Sequence, residues 1–373
     1  MRRHLIPSLT LWLLGSLLPV QALGGSAAIT SRSLTLTLGD TTSKAELLLP
    51  AGSTKAPLVL LIQGTGPEDR NGSFVTFSGV QQGSLGQLAN VLAGQGFAVM
   101  RFDKRYAALT FDPKTAQAAQ ASYEKLSMKD LLADARTALN TAKMQPGVDS
   151  SRVFVYGWSE GSILAAHLAL ETGAKGLIVQ GPVLDSYAAT FTRQFGRVGL
   201  KYLSAYAKDG KIDLQGVMAA LMGPGSGLAR TQAQLLLALD STPDNPKLNT
   251  YFDANRDGRL DLKGEVLPAL QVGYPQLLDG SPKYGAVGGL PVLGKLAPKL
   301  RMPVLILQGE NDGNIDPDDA KKLSALLPKT STLKLYPGLG HSLGKAADIT
   351  QDNFAPMETA PMNDMAQWLK TLK

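Results

Sequence analysis

Apolar residues recur along this chain with two alternating spacings. Residues 58–62, 97–102 and 153–156 are nearly unbroken apolar runs with the length of strands buried on both faces. Residues 85–92 and 128–142 instead carry apolar side chains three and four positions apart, which predicts amphipathic helices. Strands that alternate with helices in this way predict an α/β fold with a mainly parallel sheet flanked by helices.

The same alternation returns near the C-terminus, after a long interruption. Residues 303–307 and 332–336 read as strands, and residues 316–327 and 358–372 read as helices. Between them and the first half, residues from about 184 to 297 contain no clear strand run and are rich in Gly, Pro and Leu. We predict that this segment is an inserted helical cap.

The cap carries aromatic residues at roughly helical spacing, which are Tyr187, Phe191, Phe195, Tyr202 and Tyr206. They are expected to pack the cap onto the body, and the alternative is that some of them roof an acyl pocket. The predicted organisation is a signal peptide at 1–22, a first core part at 23–183, the cap at 184–297 and a second core part at 298–373.

The N-terminal segment has the order of features that export signals share. A short basic stretch, Met1-Arg2-Arg3, precedes a mostly apolar run at 9–20, and Val20-Gln21-Ala22 places small residues at the two positions that a signal peptidase reads. The run is too short and too interrupted by Pro and Gly to span a bilayer comfortably. We expect cleavage near Ala22 and export to the periplasm or the medium, with an uncleaved membrane anchor as the alternative.

Composition narrows the chemistry further. The chain has no cysteine, which excludes a thiol nucleophile and a zinc–thiolate site. Its formal charge is +6, but its Lys and Arg residues are scattered and form no basic stripe, so we do not expect nucleic-acid binding.

Residues 153–161 contain the strongest motif of the chain. A strand-like run leads into Gly157-Trp158-Ser159-Glu160-Gly161, and helix-forming residues follow. Strand, sharp turn and helix are the context of a nucleophile elbow, in which the serine is strained and its neighbours must be small. The helix behind Ser159 would aim its free N–H groups at a developing oxyanion. An ordinary strand-to-helix turn is the alternative.

A serine hydroxyl needs an adjacent base, and the chain has three histidines. His4 belongs to the predicted signal peptide, and His167 lies eight residues beyond Ser159 on the same helix, roughly 12 Å further along its axis. His341 remains, in a Gly-rich loop after the last predicted strand. We therefore expect His341 to be the base, the alternative being a surface histidine.

The acid that orients the imidazole should lie between the serine and the histidine in the chain. Residues 308–316 follow the penultimate strand and contain three carboxylates. Asp312 has the best position, within the turn, whereas Glu310 lies at the strand end and Asp316 is expected to cap the next helix.

These motifs resemble the α/β-hydrolase superfamily. Gly-x-Ser-x-Gly at 157–161, Gly-x-x-Asp at 309–312 and Gly-x-x-His at 338–341 occur in the family's order, and the resemblance covers roughly residues 47–184 and 300 to the C-terminus. Gln63-Gly64-Thr65-Gly66 stands where the family has its oxyanion loop, with Gln in place of His. Residues 64–72 and 101–105 resemble an exported bacterial esterase-like subgroup, in which a glycine occupies the position of Tyr106.

The resemblance implies a secreted serine hydrolase that cleaves small carboxylic esters through an acyl-enzyme and needs no cofactor. It implies that the oxyanion is bound by the backbone N–H groups of Glu160 and Thr65, with Gly66 as the alternative to Thr65. A serine peptidase or amidase uses the same triad and is one alternative. A catalytically silent secreted binding protein is another.

One loop of the cap resembles the start of an EF-hand. Asp253, Asn255 and Asp257 occupy positions one, three and five, a glycine follows at six, and Asp261 is at nine. Arg259 would supply its backbone carbonyl, whereas Glu265 falls one residue later than the usual final ligand. The loop predicts a structural Ca²⁺ site, the alternative being an acidic turn without metal.

Overall fold

The computed structural model describes residues 28–76 and 79–372. The predicted signal peptide lies outside these residues. The strands are β1 (Ile29–Leu38), β2 (Thr41–Pro50), β3 (Lys55–Ile62), β4 (Phe74–Thr76), β5 (Gly79–Gln81), β6 (Ala98–Phe102), β7 (Gly147–Trp158), β8 (Gly176–Gln180), β9 (Lys211–Ile212), β10 (Leu260–Asp261), β11 (Val304–Gly309) and β12 (Ser331–Tyr336).

The helices lie between these strands and after the last of them. They are α1 (Leu85–Gly94), α2 (Ala107–Thr110), α3 (Ala116–Glu124), α4 (Met128–Lys143), α5 (Glu160–Thr172), α6 (Tyr187–Gln194), α7 (Leu200–Leu203), α8 (Leu214–Met222), α9 (Gly227–Gln234), α10 (Leu267–Asp279), α11 (Leu293–Leu296), α12 (Pro317–Leu326) and α13 (Thr359–Lys370). Helix α4 begins at a capping box in which Ser127 and Asp130 bond reciprocally.

Eight strands form one sheet in the order β1-β2-β6-β3-β7-β8-β11-β12. β1 pairs with β2 and β2 with β6 in antiparallel fashion, and every further pair in the sheet is parallel. The predicted fold, a mainly parallel sheet flanked by helices, is therefore confirmed. Its parallel strands bring the loops after β3, β7, β11 and β12 to the same edge.

Strand β3 shows why the sheet needs helices on both faces. All its residues except Lys55 are buried. Leu58, Leu60 and Ile62 belong to a core cluster that includes α4 and α5. The intervening Val59 and Leu61 belong to a second cluster that includes α1 and α13. Successive side chains of a strand point to opposite faces, so an unbroken apolar run needs cover on both sides.

No strand of this sheet lies between Gln180 and Val304. The segment consists of helices and loops with one short two-strand pair, β9–β10, and it has an apolar core of its own that includes Phe195, Tyr202 and Phe252. Two stretches, Phe195–Gly199 and Leu262–Val266, are π-helical. Across the described residues, no helix combines the length and the apolarity needed to cross a membrane.

Candidate active site

Ser159 lies at the turn between β7 and α5 in a backbone conformation that side chains rarely adopt. Its φ is 54° and its ψ is −122°, in a region that costs a non-glycine residue about 1–3 kcal/mol. A Cβ on Gly157 would lie 2.1 Å from the carbonyl oxygen of Gly161, and one on Gly161 would lie 2.3 Å from that of Gln63. The close packing explains why glycines flank the serine on both sides.

His341 and Asp312 form a buried pair in the loops after β12 and β11. Their Nδ1 and Oδ2 atoms are 2.8 Å apart, and the two side chains are 3% and 1% exposed. With Nδ1 engaged by the carboxylate, Nε2 is the ring atom left to accept a proton. The structure thus brings the predicted base and acid together.

Further hydrogen bonds hold Asp312 in place. Its Oδ1 accepts the backbone N–H groups of Asn314 (2.7 Å) and Ile315 (2.8 Å), and its Oδ2 also accepts the amide of Gln308 (2.9 Å). The competing carboxylates have other positions: Glu310 is exposed, and Asp316 caps α12 by accepting the N–H of Asp318. Asp312 is therefore the carboxylate that faces the imidazole.

Asp352 is a part of this arrangement that the sequence did not suggest. It is 2% exposed, and its Oδ2 accepts the N–H groups of both Gly313 (3.0 Å) and His341 (2.8 Å). One carboxylate oxygen thus joins the loop of the acid to the loop of the base. No spacing rule distinguishes Asp352 from its acidic neighbours along the chain.

His341 and Ser159 both lie against the end of β8. The Ser159 N–H donates to Gln180 O at 2.8 Å, and a Cβ on the next residue, Gly181, would lie 2.8 Å from His341 Cε1. The rings of His341 and Trp158 are 5.4 Å apart between centroids. Among the described residues no hydrogen bond joins the serine to the histidine, and catalytic hydrogen bonds commonly form only when substrate closes the site.

The surroundings of His341 set its proton affinity. Burial alone would lower its pKa, but the charge and the hydrogen bond of Asp312, with the charge of Asp352, outweigh burial and raise the pKa above the ordinary value. Asp352 itself has a raised pKa because it is buried and close to Asp312. The two carboxylates thus favour a positive imidazolium beside Ser159.

His167 takes no part in this site. Its Nε2 lies 2.9 Å from the carbonyl oxygen of Pro291, and it faces the segment that leads to α11. Its position agrees with the prediction that it cannot serve as the base for Ser159.

The loop after β3 lies against the other side of Ser159. A Cβ on Gly64 would lie 3.5 Å from Ser159 Cβ, so the backbone here passes directly beside the nucleophile. The Gln63 side chain, which stands in place of the family's His, is fully buried and donates to the carbonyl oxygens of Asp69 and Phe102. No described residue accepts a hydrogen bond from the N–H of Thr65 or Glu160, so both donors are free.

A cluster of buried ionisable residues contacts the segments that carry these two N–H groups. Glu160 is fully buried; its Oε1 is 3.6 Å from Lys104 Nζ, and its Oε2 accepts the hydroxyl of Tyr284 at 2.7 Å. Glu68 is also buried and accepts the N–H of Gly64. Burial, opposed by Lys104 and assisted by the charge of Glu160, raises the pKa of Glu68 to about 8.

The motif Asp103-Lys104-Arg105 follows β6, and each of its three residues bonds to a different partner. Asp103 accepts the N–H of Arg70 (2.8 Å) in the loop after β3. Lys104 donates to the carbonyl oxygen of Gly64 in the same loop. Arg105 makes a bidentate ion pair with Asp134 of α4 (2.8 and 2.7 Å). The motif thus anchors the loop beside Ser159 to the body of the protein.

Tyr106 adopts the conformation for which a glycine would be suited. Its φ is 64°, in the left-handed region, and its hydroxyl donates to Asp40 at 3.3 Å. The turn after Lys104 and Arg105 is therefore made by a strained tyrosine.

The cap contributes aromatic side chains next to Glu160, whose carboxylate accepts the Tyr284 hydroxyl. Tyr187 stacks on Tyr284 with ring centroids 3.9 Å apart, and both line an open cleft of about 510 Å³. A second, small cleft is lined by Trp158 and Phe354, and the Phe354 ring is 5.8 Å from that of His341. Phe195 and Tyr202, in contrast, belong to the cap's own core.

The acidic loop of the cap bonds mainly to its own backbone. Asp253 accepts the N–H groups of Asp257 and Gly258, and Asp261 those of Lys263 and Gly264. The Glu265 carboxylate accepts the N–H groups of Asn255 and Asp261, one on each oxygen. Asp257 forms an ion pair with Lys211. The Arg259 guanidinium donates to the carbonyl oxygen of Lys208. In residues 28–76 and 79–372 no three His, Asp or Glu side chains are grouped as a metal site. Calcium binding stays a prediction.

Parts of the chain are similar in sequence to known proteins. Residues 72–240 match a family described as serine aminopeptidase, S33. Esterase EstD of Thermotoga maritima is 29% identical over 140 residues, which is 37% of this chain. The match spans 29% of the length of EstD.

Comparison with solved structures concerns the fold alone. A hypothetical protein from Pseudomonas aeruginosa superposes with a TM-score of 0.50 at 13% identity, covering 96% of this chain and 100% of that one. The comparison with Est1E from Butyrivibrio proteoclasticus has a TM-score of 0.48 at 14% identity, covering 91% and 98%. Sheet order and the strand-to-helix turn at Ser159 are those of the α/β-hydrolase fold, and the family match lies over part of that fold.

Proposed function

We propose that this chain is a serine hydrolase that cleaves carboxylic esters of small molecules. The observation that carries the proposal is the buried His341–Asp312 pair beside a strained serine at a strand-to-helix turn. Nothing in the reaction needs a cofactor, because the nucleophile, the base and the oxyanion donors are all groups of the chain. The similarity to an esterase over part of the chain supports this choice of substrate.

In the proposed reaction His341 Nε2 removes the Ser159 proton while Oγ attacks the ester carbonyl carbon. The carbonyl oxygen becomes an oxyanion, the bond to the alcohol oxygen breaks, and the imidazolium gives its proton to the departing alcohol. The acyl group stays on Ser159. A water molecule then repeats the attack with His341 as base, which releases the carboxylic acid and restores the hydroxyl.

The oxyanion would be bound by the backbone N–H groups of Thr65 and Glu160. Both donors are free, and they flank Ser159 on the loop after β3 and the first turn of α5. One such donor contributes about 3–4 kcal/mol to the transition state by the usual mutational measure.

Amide or peptide hydrolysis by the same residues is a second candidate. The similarity of residues 72–240 to a serine aminopeptidase family favours it. Both candidates share the triad, so the substrate alone distinguishes them.

Turnover of p-nitrophenyl acetate should be compared with that of alanine p-nitroanilide at equal enzyme concentration. We expect a much larger kcat/KM for the ester, and a fluorophosphonate adduct that peptide mapping locates on Ser159. Ser159→Ala is the control that should show neither. Faster anilide turnover would favour the amidase, and an unlabelled wild type without turnover would contradict a serine hydrolase.

We also propose that the protein is exported, on the basis of the basic, apolar and small-residue order of residues 1–22. Intact mass of protein from its own host should show loss of about that segment. A chain that keeps Arg2 inside the cytoplasm would refute export.

A structural Ca²⁺ ion in the cap loop at 253–265 is the last part of the proposal. Its support is the spacing of oxygen-bearing side chains on a tight turn. Calcium should raise the melting temperature and a chelator should lower it again, whereas Asp253→Ala combined with Asp257→Ala should respond to neither. If calorimetry detects no binding at millimolar calcium, the proposed calcium site is wrong, and the proposed catalysis is unaffected.

A further inference from the structure

Lys104 contacts both halves of the proposed oxyanion site. It is 4% exposed, in the loop after β6, forty residues along the chain from Gly64. Its ammonium donates to the Gly64 carbonyl oxygen and to the Tyr123 hydroxyl at 3.3 Å, and it lies 3.6 Å from Glu160 Oε1. A buried lysine on this many polar partners is held in one place.

The contact with Gly64 determines where the Thr65 N–H points. The Gly64 carbonyl and the Thr65 N–H belong to one peptide unit, and the described chain contains no cis peptide bond. In a trans peptide the two groups point in opposite directions. Since the oxygen is drawn inward to Lys104, the N–H faces away from the core, on the side where Thr65 is exposed.

Glu68 holds the preceding peptide unit. The Gly64 N–H donates to Glu68 Oε2 at 3.1 Å, and a Cβ on Gly64 would lie 3.3 Å from Glu68 Oε1. Both backbone polar groups of Gly64 are thus bonded to buried side chains, one acidic and one basic. The residue beside the nucleophile has little freedom to rotate.

The second donor is tied to the same ammonium. Glu160 supplies its backbone N–H from the first position of α5, while its side chain reaches Lys104 on one oxygen and the Tyr284 hydroxyl on the other. Lys104 therefore joins the loop that carries one N–H to the helix that carries the other.

We propose that Lys104 is a positioning residue for the oxyanion site: it orients the Thr65 N–H through the Gly64 carbonyl and fixes its distance from the Glu160 N–H. A cation on the carbonyl also polarises the peptide, which makes the N–H at its other end a stronger donor. The inference rests on the proposed serine hydrolysis.

The test is Lys104→Met, which keeps the length of the side chain and removes the donor. Loss of one oxyanion donor lowers kcat roughly 100- to 1000-fold. A misdirected donor should lower kcat by about 10- to 100-fold for p-nitrophenyl acetate with KM little changed, because the contact acts in the transition state. Affinity for a trifluoromethyl ketone, whose adduct with serine carries an oxyanion, should fall by the same factor.

Lys283→Met is the matched control. Lys283 is a second buried ammonium of this cluster, but its Nζ lies 4.0 Å over the Tyr123 ring, and the structure shows no contact between it and Gly64. Removing the same charge there should change kcat and the ketone affinity less than about fivefold, since neither oxyanion donor depends on it. Equal losses in the two variants would show that only the charge of the cluster matters, and would overturn the positioning role.

Leaving Glu160 buried without its cation costs stability, so Lys104→Met could fail to fold. Lys104→Met combined with Glu160→Gln removes both charges and serves as the folded substitute, with the same losses expected. If the wild type hydrolyses the ester and these variants keep kcat and ketone affinity, the inference alone is wrong. If the wild type has no ester turnover and forms no fluorophosphonate adduct, the proposed function is wrong and the inference falls with it.

Discussion

The two sides of Ser159 are built from different kinds of group. On the side of His341 and Asp312, the groups that would do chemistry are side chains at the ends of two parallel strands. On the other side they are backbone N–H groups, which every residue possesses. The loop that carries a side chain can place it, whereas the direction of a backbone N–H depends on the contacts that orient its peptide unit.

The buried charges on each side reflect this difference. Asp352 holds the His341 side through two backbone N–H groups, and it lies only eleven residues from the histidine. Glu68 and Lys104 hold the Gly64 side from two separate loops. Both sides thus use buried ionisable side chains to orient backbone, but the oxyanion side needs an acceptor and a donor because it must hold an N–H and a carbonyl at once.

The largest effect is expected from removing the base. His341→Ala should lower kcat roughly 10⁴- to 10⁶-fold in an ester assay, since Ser159 then lacks a proton acceptor. His167→Ala is the control, because this histidine bonds to Pro291 O away from the serine, and should keep most activity. Substantial ester turnover by His341→Ala would contradict the assignment of His341 as the base.

Asp312→Asn tests the histidine side of the site through the pH dependence of kcat/KM. The neutral imidazole is the active base, and Asp312 and Asp352 raise the pKa of His341. The wild-type kcat/KM should therefore fall with decreasing pH through a midpoint above the ordinary imidazole value of about 6.5. The variant should lose activity roughly 10⁴-fold. Its residual activity should fall at a lower pH, since burial then acts with less opposition; an unmoved midpoint would contradict the electrostatic role of Asp312.

A smaller loss is expected from Asp352→Ala. It deprives the Gly313 and His341 N–H groups of their shared acceptor, which lets the two loops drift and should lower kcat/KM roughly 10- to 100-fold. Asp352→Asn keeps an acceptor oxygen and should retain most activity, with the midpoint of the pH profile lowered. Equal activity of Asp352→Ala and wild type would show that the loops of Asp312 and His341 keep their positions without Asp352.

The smallest effect concerns the turn beside Lys104. Tyr106 has a φ of 64°, so Tyr106→Gly should be more stable than Tyr106→Ala by about 1 kcal/mol, because alanine loses the same ring but keeps the strain. Urea unfolding of both variants measures this difference as a shift in midpoint at constant slope. A more stable alanine variant would mean that the turn relaxes when the ring is gone.

Much of the site was predictable because its chemistry follows rules of spacing. Gly157 and Gly161 mark the turn, and with three histidines in the chain only His341 both lies outside the predicted signal peptide and can reach Ser159. Asp312 was preferred to Glu310 and Asp316 by its place in the turn, and the structure puts it 2.8 Å from His341. The alternation of strands and helices likewise predicted the sheet, because an apolar run buried on both faces has few other arrangements.

Asp352, Glu68 and Lys104 had no such rule. The sequence does not reveal whether a carboxylate or an ammonium is solvated or buried. The contacts of such a group depend on which loops the sheet brings together. Lys104 reaches Gly64 across forty residues because β6 and β3 are neighbours in the sheet, and Asp352 reaches Gly313 across thirty-nine. The sequence by itself thus determined the fold and pointed to the residues that are proposed to carry the chemistry. Only the tertiary structure decided which buried charges hold the backbone around them, because that depends on contacts between loops far apart in the chain.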